Sequence, residues 1–161
     1  MKRLVLVRHG KSSWDNDLPD HKRPLKKRAY NDAEVVLDAF EHFYEPPALF
    51  WSSHAVRAHE TAKMFKKRLK VNDEDFRVVE DLYTFNQNEL LSVIRSCPDD
   101  VDKLFVFGHN PGMTILVNSL GDKKLDNLPT TGLCVIDFEV DSWKEVRKGK
   151  TLLTLLPKNL R

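Results

Sequence analysis

The sequence predicts an α/β fold: a three-layer, mostly parallel β-sheet with helices on both faces and one antiparallel strand late in the chain. Three observations carry this. The apolar runs at 4–7 (LVLV) and 104–107 (LFVF) are unbroken, as in strands buried on both faces. Longer segments between such runs repeat their apolar residues at helical spacing. The last third changes character, to two strand candidates joined by a polar link rich in turn formers.

Each element follows from its own pattern. Residues 4–7 form the first strand. From about 25 to 43, Ala29, Ala33, Val36, Leu37 and Phe40 recur on one helical face with charges between them, and Pro46-Pro47 is expected to end that helix. Residues 48–51 are a second strand, 56–69 a helix, 76–79 a third strand and 89–96 a short helix stopped before Pro98. After the strand at 104–107 comes a helix over 112–120, closed by Gly121. Residues 133–140 and 152–156 are the last strands. No repeat, low-complexity tract or linker interrupts the chain, so 161 residues are expected to make a single domain over 1–161.

Composition excludes several classes. With 41% hydrophobic and 31% charged residues, the profile is that of a soluble globular protein. No stretch approaches the ~20 apolar residues of a bilayer span. The basic start MKRLVLVRHG has an apolar run of only 4–7, short of the about 7–15 residues of a secretory signal, so a cytoplasmic protein is expected. Its two cysteines, Cys97 and Cys134, form no Cys-x-x-Cys motif and read as reduced structural thiols. The net charge of +2, from 26 basic and 24 acidic residues, demands no nucleic-acid partner, and no membrane partner is expected. The basic clusters at 22–23, 26–28 and 66–68 read as solvated helix faces, with a phosphate-attracting rim as the sharper alternative. No metal is expected: the histidines at 9, 21, 42, 54, 59 and 109 make no His-Glu-x-x-His pattern, and His54 and His59 lie off a common helix face. No glycine-rich nucleotide fingerprint is present, and no cofactor is expected.

Polar residues concentrate directly after three strands. Arg8-His9-Gly10 follows the first, Ser52-Ser53 with Arg57 the second, and Gly108-His109-Asn110-Pro111-Gly112 the strand at 104–107. Ligands of open α/β sheets bind outside the carboxyl ends of the strands. If these strands are neighbours, two histidines and two arginines converge on one pocket. Arginine presents a planar, permanently charged fork that suits phosphoryl oxygens. A neutral imidazole is a competent nucleophile near pH 7. A second histidine, if protonated, donates to a phosphoryl oxygen as charge develops in an in-line transfer. Singly, each cluster has a blander use: the serines as a helix cap, the GHNPG segment as a turn, a histidine as an exposed loop residue. Together, at three strand ends, they point to a phosphoryl site.

Val7-Arg8-His9-Gly10-Lys11 resembles the signature of the histidine phosphatase superfamily. The segment SSHAVRAHETA (52–62) is similar to that superfamily's second block, with Arg57 in the phosphate-binding position, and GHNPG (108–112) resembles the third, with His109 on its second histidine. DHKRPLKKRAYNDA (20–33) and TTGLCVIDF (130–138) are similar to the short SixA-type phosphohistidine phosphatases, although Ala29 stands where a glycine is usual. The resemblance implies a phosphoglycerate mutase-like fold and a transient phosphohistidine on His9. It implies phosphoryl binding by Arg8, Arg57 and His109, with Arg23 assisting.

Larger members of that superfamily carry a proton-donating carboxylate between the second and third blocks. Here the interval 78–91 offers Glu80, Asp81 and Glu89, each read as structural or solvated. A site without a dedicated acid favours phosphohistidine or other good leaving groups, because an alkoxide needs a proton to depart and an imidazole does not. The expected activity is therefore a phosphohistidine phosphatase acting on a phosphorylated protein or a small phosphorylated substrate. The alternatives are a broad small-molecule phosphomonoesterase and a phosphate- or phosphoprotein-binding domain without turnover.

Overall fold

Alternate residues of the buried strands face opposite layers, and this sorts the core into two halves. The computed structural model describes residues 1–15 and 17–161. Its strands are β1 (Lys2–Arg8), β2 (Leu49–Ser52), β3 (Phe76–Val78), β4 (Lys103–Gly108), β5 (Leu133–Phe138) and β6 (Lys150–Leu155). Its helices are α1 (Lys27–Phe40), α2 (Val56–Leu69), α3 (Gln87–Arg95) and α4 (Gly112–Leu120). Leu4, Leu6, Leu104 and Val106 pack on one side with Leu90 and Ile94 of α3 and Leu116 and Val117 of α4. Val5, Val7, Phe105 and Phe107 pack on the other with Ala33, Val36 and Phe40 of α1 and Phe65 of α2.

The sheet order is β3-β2-β4-β1-β5-β6. β1 pairs in parallel with β4, β4 with β2, and β2 with β3. β5 is antiparallel to both β1 and β6, so β6 runs with the first four strands and β5 alone runs against them. The three-layer, mostly parallel sheet with one antiparallel strand is the architecture expected from sequence. No helix among the described residues is long and apolar enough to cross a membrane.

Two expected chain-breaking devices work differently. The first helix ends at Phe40, before Pro46-Pro47, because the N–H groups of Phe43 and Tyr44 both turn back onto the Phe40 carbonyl. That turn brings Tyr44 edge-on against Phe105, with ring centroids 5.8 Å apart. Gly121 does follow α4, but in extended backbone rather than a left-handed cap. A Cβ there would lie 2.2 Å from Thr151 Oγ1, so close approach to β6 requires the glycine.

Candidate active site

The registers bring three strand ends level. Arg8 of β1 is paired with Gly108 of β4, and Ser52 of β2 with Phe107 of β4. The ladder continues one residue further, through His9 N–H to the Gly108 carbonyl (3.1 Å) and Ser53 N–H to the Phe107 carbonyl (3.1 Å). His9, Ser53 and His109 therefore leave three adjacent parallel strands at one edge, and α2 and α4 begin just beyond them. The His9 and His109 ring centroids are 5.2 Å apart.

His9 is held on all sides. The Thr131 N–H donates to the carbonyls of both Arg8 (3.0 Å) and His9 (3.1 Å), and Gly10 N–H donates to Thr61 Oγ1 (2.9 Å). Thr131 adopts φ 60°, a strained left-handed conformation for a β-branched residue. The His9 Nδ1 lies 2.7 Å from the Gly10 carbonyl, which can only accept. Nδ1 therefore carries the proton and Nε2 the lone pair. His9 is only 8% exposed, because the loop bearing Asp20 and the start of α2 cover it. Burial, with the charges of Arg57, Arg8 and Arg23, pushes its pKa down to about 3, despite the opposing hydrogen bond to Gly10. The ring is neutral at any physiological pH.

His109 is also buried and neutral, its pKa pushed down to about 3 by burial and then by the neighbouring His9 and Arg57. Protonation was the expected route to a donor, and the hydrogen bonds supply another. Ser53 Oγ accepts from the Ala55 N–H (3.2 Å) and lies 2.9 Å from His109 Nε2, where its own proton is free to go to that nitrogen. In that tautomer the neutral ring carries its hydrogen on Nδ1, a buried atom with no partner among the described residues. Ser53 thus orients His109 and does not cap α2, whose cap residue is Ala55.

The guanidinium groups converge on the same place. Arg57, only 3% exposed, points its Nε at His9 Nε2 across 3.4 Å. Its Nη1 and Nη2 donate to the Asp20 carbonyl (2.7 Å) and to Asp20 Oδ2 (2.9 Å). Arg8 donates through Nη1 to the Leu128 carbonyl (3.0 Å), while its Nε is buried without a partner. Arg23 donates to Ser12 Oγ, to the Ser13 carbonyl (3.2 Å) and to Asp20 Oδ1 (3.2 Å), with the exposed Trp14 ring stacked on it at 3.3 Å. A cavity of about 320 Å³ opens here, lined by residues including Arg8, His9, Trp14, Arg23, Arg57 and Phe85. A larger hollow of about 820 Å³ against α1 and α2 is lined by no histidine and contains none of this machinery.

Of the five side chains singled out from sequence, Arg8, His9, Arg23 and Arg57 line this cavity, while His109 is buried beside His9 and is not part of its lining. The basic clusters otherwise stay outside: Arg23 alone of 22–23 and 26–28 lines the cavity, and Lys66 and Arg68 pair with Asp73 and Glu41. Sequence reasoning missed Asp20, Thr61 and Thr131, and left the role of Tyr83 open. Tyr83 donates to Asp20 Oδ2 (2.6 Å). Glu80, Asp81 and Glu89 are exposed and line no part of this cavity, in keeping with their reading as solvated. Among the described residues, no group of three or more His, Cys, Asp or Glu side chains is placed to hold a metal ion.

The chain is similar to several known proteins. The family model of the histidine phosphatase superfamily (branch 1) matches residues 4–83. An uncharacterized chloroplastic protein of Arabidopsis thaliana is 28% identical over 153 residues, covering 89% of this chain and 70% of that one. An Agrobacterium tumefaciens protein assigned as the phosphohistidine phosphatase SixA superposes with TM-score 0.80 at 25% identity, covering 97% of this chain and 98% of its own. The protein histidine phosphatase SixA complexed with tungstate superposes with TM-score 0.82 over 99% of both chains, and at 17% identity that likeness is one of fold.

Proposed function

The chain belongs to the histidine phosphatase superfamily, branch 1, and on that premise we propose that it is a phosphohistidine phosphatase working through a covalent phosphohistidine on His9. One observation carries the reading. Beside a neutral, buried imidazole, whose lone pair meets Arg57 Nε across a long 3.4 Å contact, stand two buried nitrogens with no partner among the described residues: Arg8 Nε and His109 Nδ1. Buried polar groups are nearly always paired, so a cluster of unpaired ones marks where a ligand's acceptors go. Three guanidinium groups against the single Asp20 carboxylate give the site a net positive charge, suited to a phosphoryl dianion.

In this mechanism His9 Nε2 attacks phosphorus, and the bond to the leaving group breaks as the new N–P bond forms. Arg8, Arg57 and the Nδ1–H of His109 take the equatorial oxygens, where charge is greatest in the transition state. Arg23 assists by holding the Asp20 loop, through its bonds to Ser12, the Ser13 carbonyl and Asp20. A leaving imidazole whose far nitrogen is protonated departs neutral and asks no proton of the enzyme. An alkoxide does ask for one, and Asp20, bound to Arg57 and Tyr83, is held ionised. We place the reaction in the cytoplasm, where thiols stay reduced, in keeping with Cys97 and Cys134, both buried and free.

The test is a comparison of kcat/KM for a phosphohistidine protein, an aryl phosphate and a sugar phosphate. A strong preference for the first two is expected. Equal turnover of the sugar phosphate would favour a broad phosphomonoesterase, and binding without turnover a phosphoprotein-recognition domain.

A further inference from the structure

The hydrolysis of a phosphoenzyme needs a proton acceptor for water, and the cavity offers a single carboxylate, Asp20. Its surroundings suit that task. Oδ2 accepts from Arg57 Nη2 (2.9 Å) and Tyr83 OH (2.6 Å), and Oδ1 from Arg23 Nη1 (3.2 Å). A carboxylate has about four acceptor sites, so capacity remains for a water molecule. The side chain is 39% exposed, so water reaches it, whereas His9 behind it is buried.

The fork of Arg57 fixes where Asp20 stands relative to the reacting nitrogen. Asp20 occupies the end of the guanidinium, through its carbonyl on Nη1 and its carboxylate on Nη2. The side of the fork carrying Nε faces His9 Nε2. A phosphoryl group on Nε2 and the Asp20 carboxylate are then neighbours around one rigid, planar group.

We propose that Asp20 is the general base of the second half-reaction, taking a proton from the water that hydrolyses phospho-His9; this rests on the covalent reading above. The water oxygen bonds to phosphorus, and the Nε2–P bond breaks with its electron pair returning to Nε2. Nδ1 keeps its proton on the Gly10 carbonyl, so the imidazole departs neutral. The water proton passes to the Asp20 carboxylate and then to solvent, and hydrogen phosphate leaves. The same ionised group is no use as an acid in the first half-reaction, so one residue accounts both for turnover and for a preference for leaving groups that need no proton.

The two half-reactions can be timed separately by rapid quench, with phosphoramidate as the phosphoryl donor. In Asp20→Asn, which keeps an acceptor for Arg57 and Tyr83, labelling of His9 should stay within a fewfold of wild type. Loss of label should slow by about 10²–10⁴, the usual worth of a general base, so that phosphoenzyme accumulates. In Asp20→Ala, added formate should restore part of the dephosphorylation rate. Equal slowing of both half-reactions would mean that Asp20 only positions Arg57 and would overturn the proposal, as would an unchanged rate of label loss. Failure of the wild-type enzyme to label His9 at all would instead overturn the covalent reading beneath it.

Discussion

Arg57 aims its Nε at the Nε2 of His9 from 3.4 Å, so a permanent positive charge stands beside the lone pair that is to attack phosphorus. Burial already disfavours a protonated ring, and protonating Nε2 would also put two cations face to face. Histidine's ordinary pKa of 6.5 falls to about 3, through burial first and the arginine charges after it. The nucleophile is available well below neutrality.

The rate of His9 phosphorylation, corrected for ionisation of the donor, should thus stay flat from about pH 8 to about pH 4 and fall only toward pH 3. A break near pH 6.5 in that corrected profile would show an ordinary, unperturbed imidazole. The same shift acts on stability with a definite sign. Between about 6.5 and 3 the unfolded chain binds protons that folded His9 and His109 refuse, so stability is full above about pH 6.5 and declines as pH falls toward 3. The melting temperature of wild type should drop over pH 7 to 4.5 more steeply than that of a His9→Asn/His109→Asn double variant.

Gly10 makes a different kind of demand. A Cβ at this position would stand 2.8 Å from the Cβ of Ala29 on α1 and 3.1 Å from Leu25 Cδ2. Gly10→Ala should therefore push the His9 segment off α1, at a cost of about 1–3 kcal/mol and with most of the activity lost. Ala29→Gly should recover much of both in the double variant, because the closest clash is Cβ to Cβ. Urea unfolding and kcat/KM on the single and double variants measure this directly. The absence of any rescue would mean that the loop cannot accept a side chain for another reason.

The sheet and the three strand ends were legible in the sequence because each leaves a local mark. LVLV and LFVF alternate between two core halves, and Arg8-His9, Arg57 and Gly108-His109 follow their strands within a few positions. Asp20 left no such mark. It opens a single 3-10 turn, Asp20–Lys22, and its meaning comes from Arg57 and Tyr83, 37 and 63 positions away. The carboxylates of the interval 78–91 all stand exposed outside the cavity, whereas the group in it arrives from the turn before α1. Ser53 was legible only as a serine near a helix start, and its bond to His109, 56 positions on, required the pairing of β2 with β4. Local pattern fixes elements, while pairings between distant loops wait on topology.

Activity should survive chelation with no need of added Mg²⁺ or Zn²⁺. Arg8 and Arg57 already bring fixed positive charge to the phosphoryl oxygens, and cations in a buried site are worth far more than in water. The check is turnover after prolonged dialysis against a chelator, with metal content measured on the same sample. Complete loss that metal restores would contradict a guanidinium-based site. Arg57→Ala, in contrast, should lower kcat/KM by about 10²–10³, as removal of one transition-state donor does.

The nucleophile is the sharpest point of attack. Rapid quenching of the wild-type reaction should trap phosphate on His9 in a linkage that is labile to acid and stable to base, as an N–P bond requires. His9→Ala should form no phosphoenzyme and show no turnover. Because His9 is buried, the fold of this variant must be checked, and circular dichroism should show it intact. The backbone bonds of His9 to Gly108 and Thr131, and of Gly10 to Thr61, are independent of the His9 side chain. His109→Ala should still label His9, but about 10²–10³ more slowly, since it loses one donor and leaves the nucleophile in place. Ser53 is the alternative that the geometry raises, with its Oγ 2.9 Å from a histidine nitrogen as in a serine nucleophile and its base. Ser53 is wholly buried, however, and its Oγ is held between the Ala55 N–H and His109 Nε2. Ser53→Ala should therefore slow labelling of His9 without moving the label. Label recovered on Ser53, or a His9→Ala enzyme that keeps substantial activity, would transfer the chemistry from the imidazole to the hydroxyl.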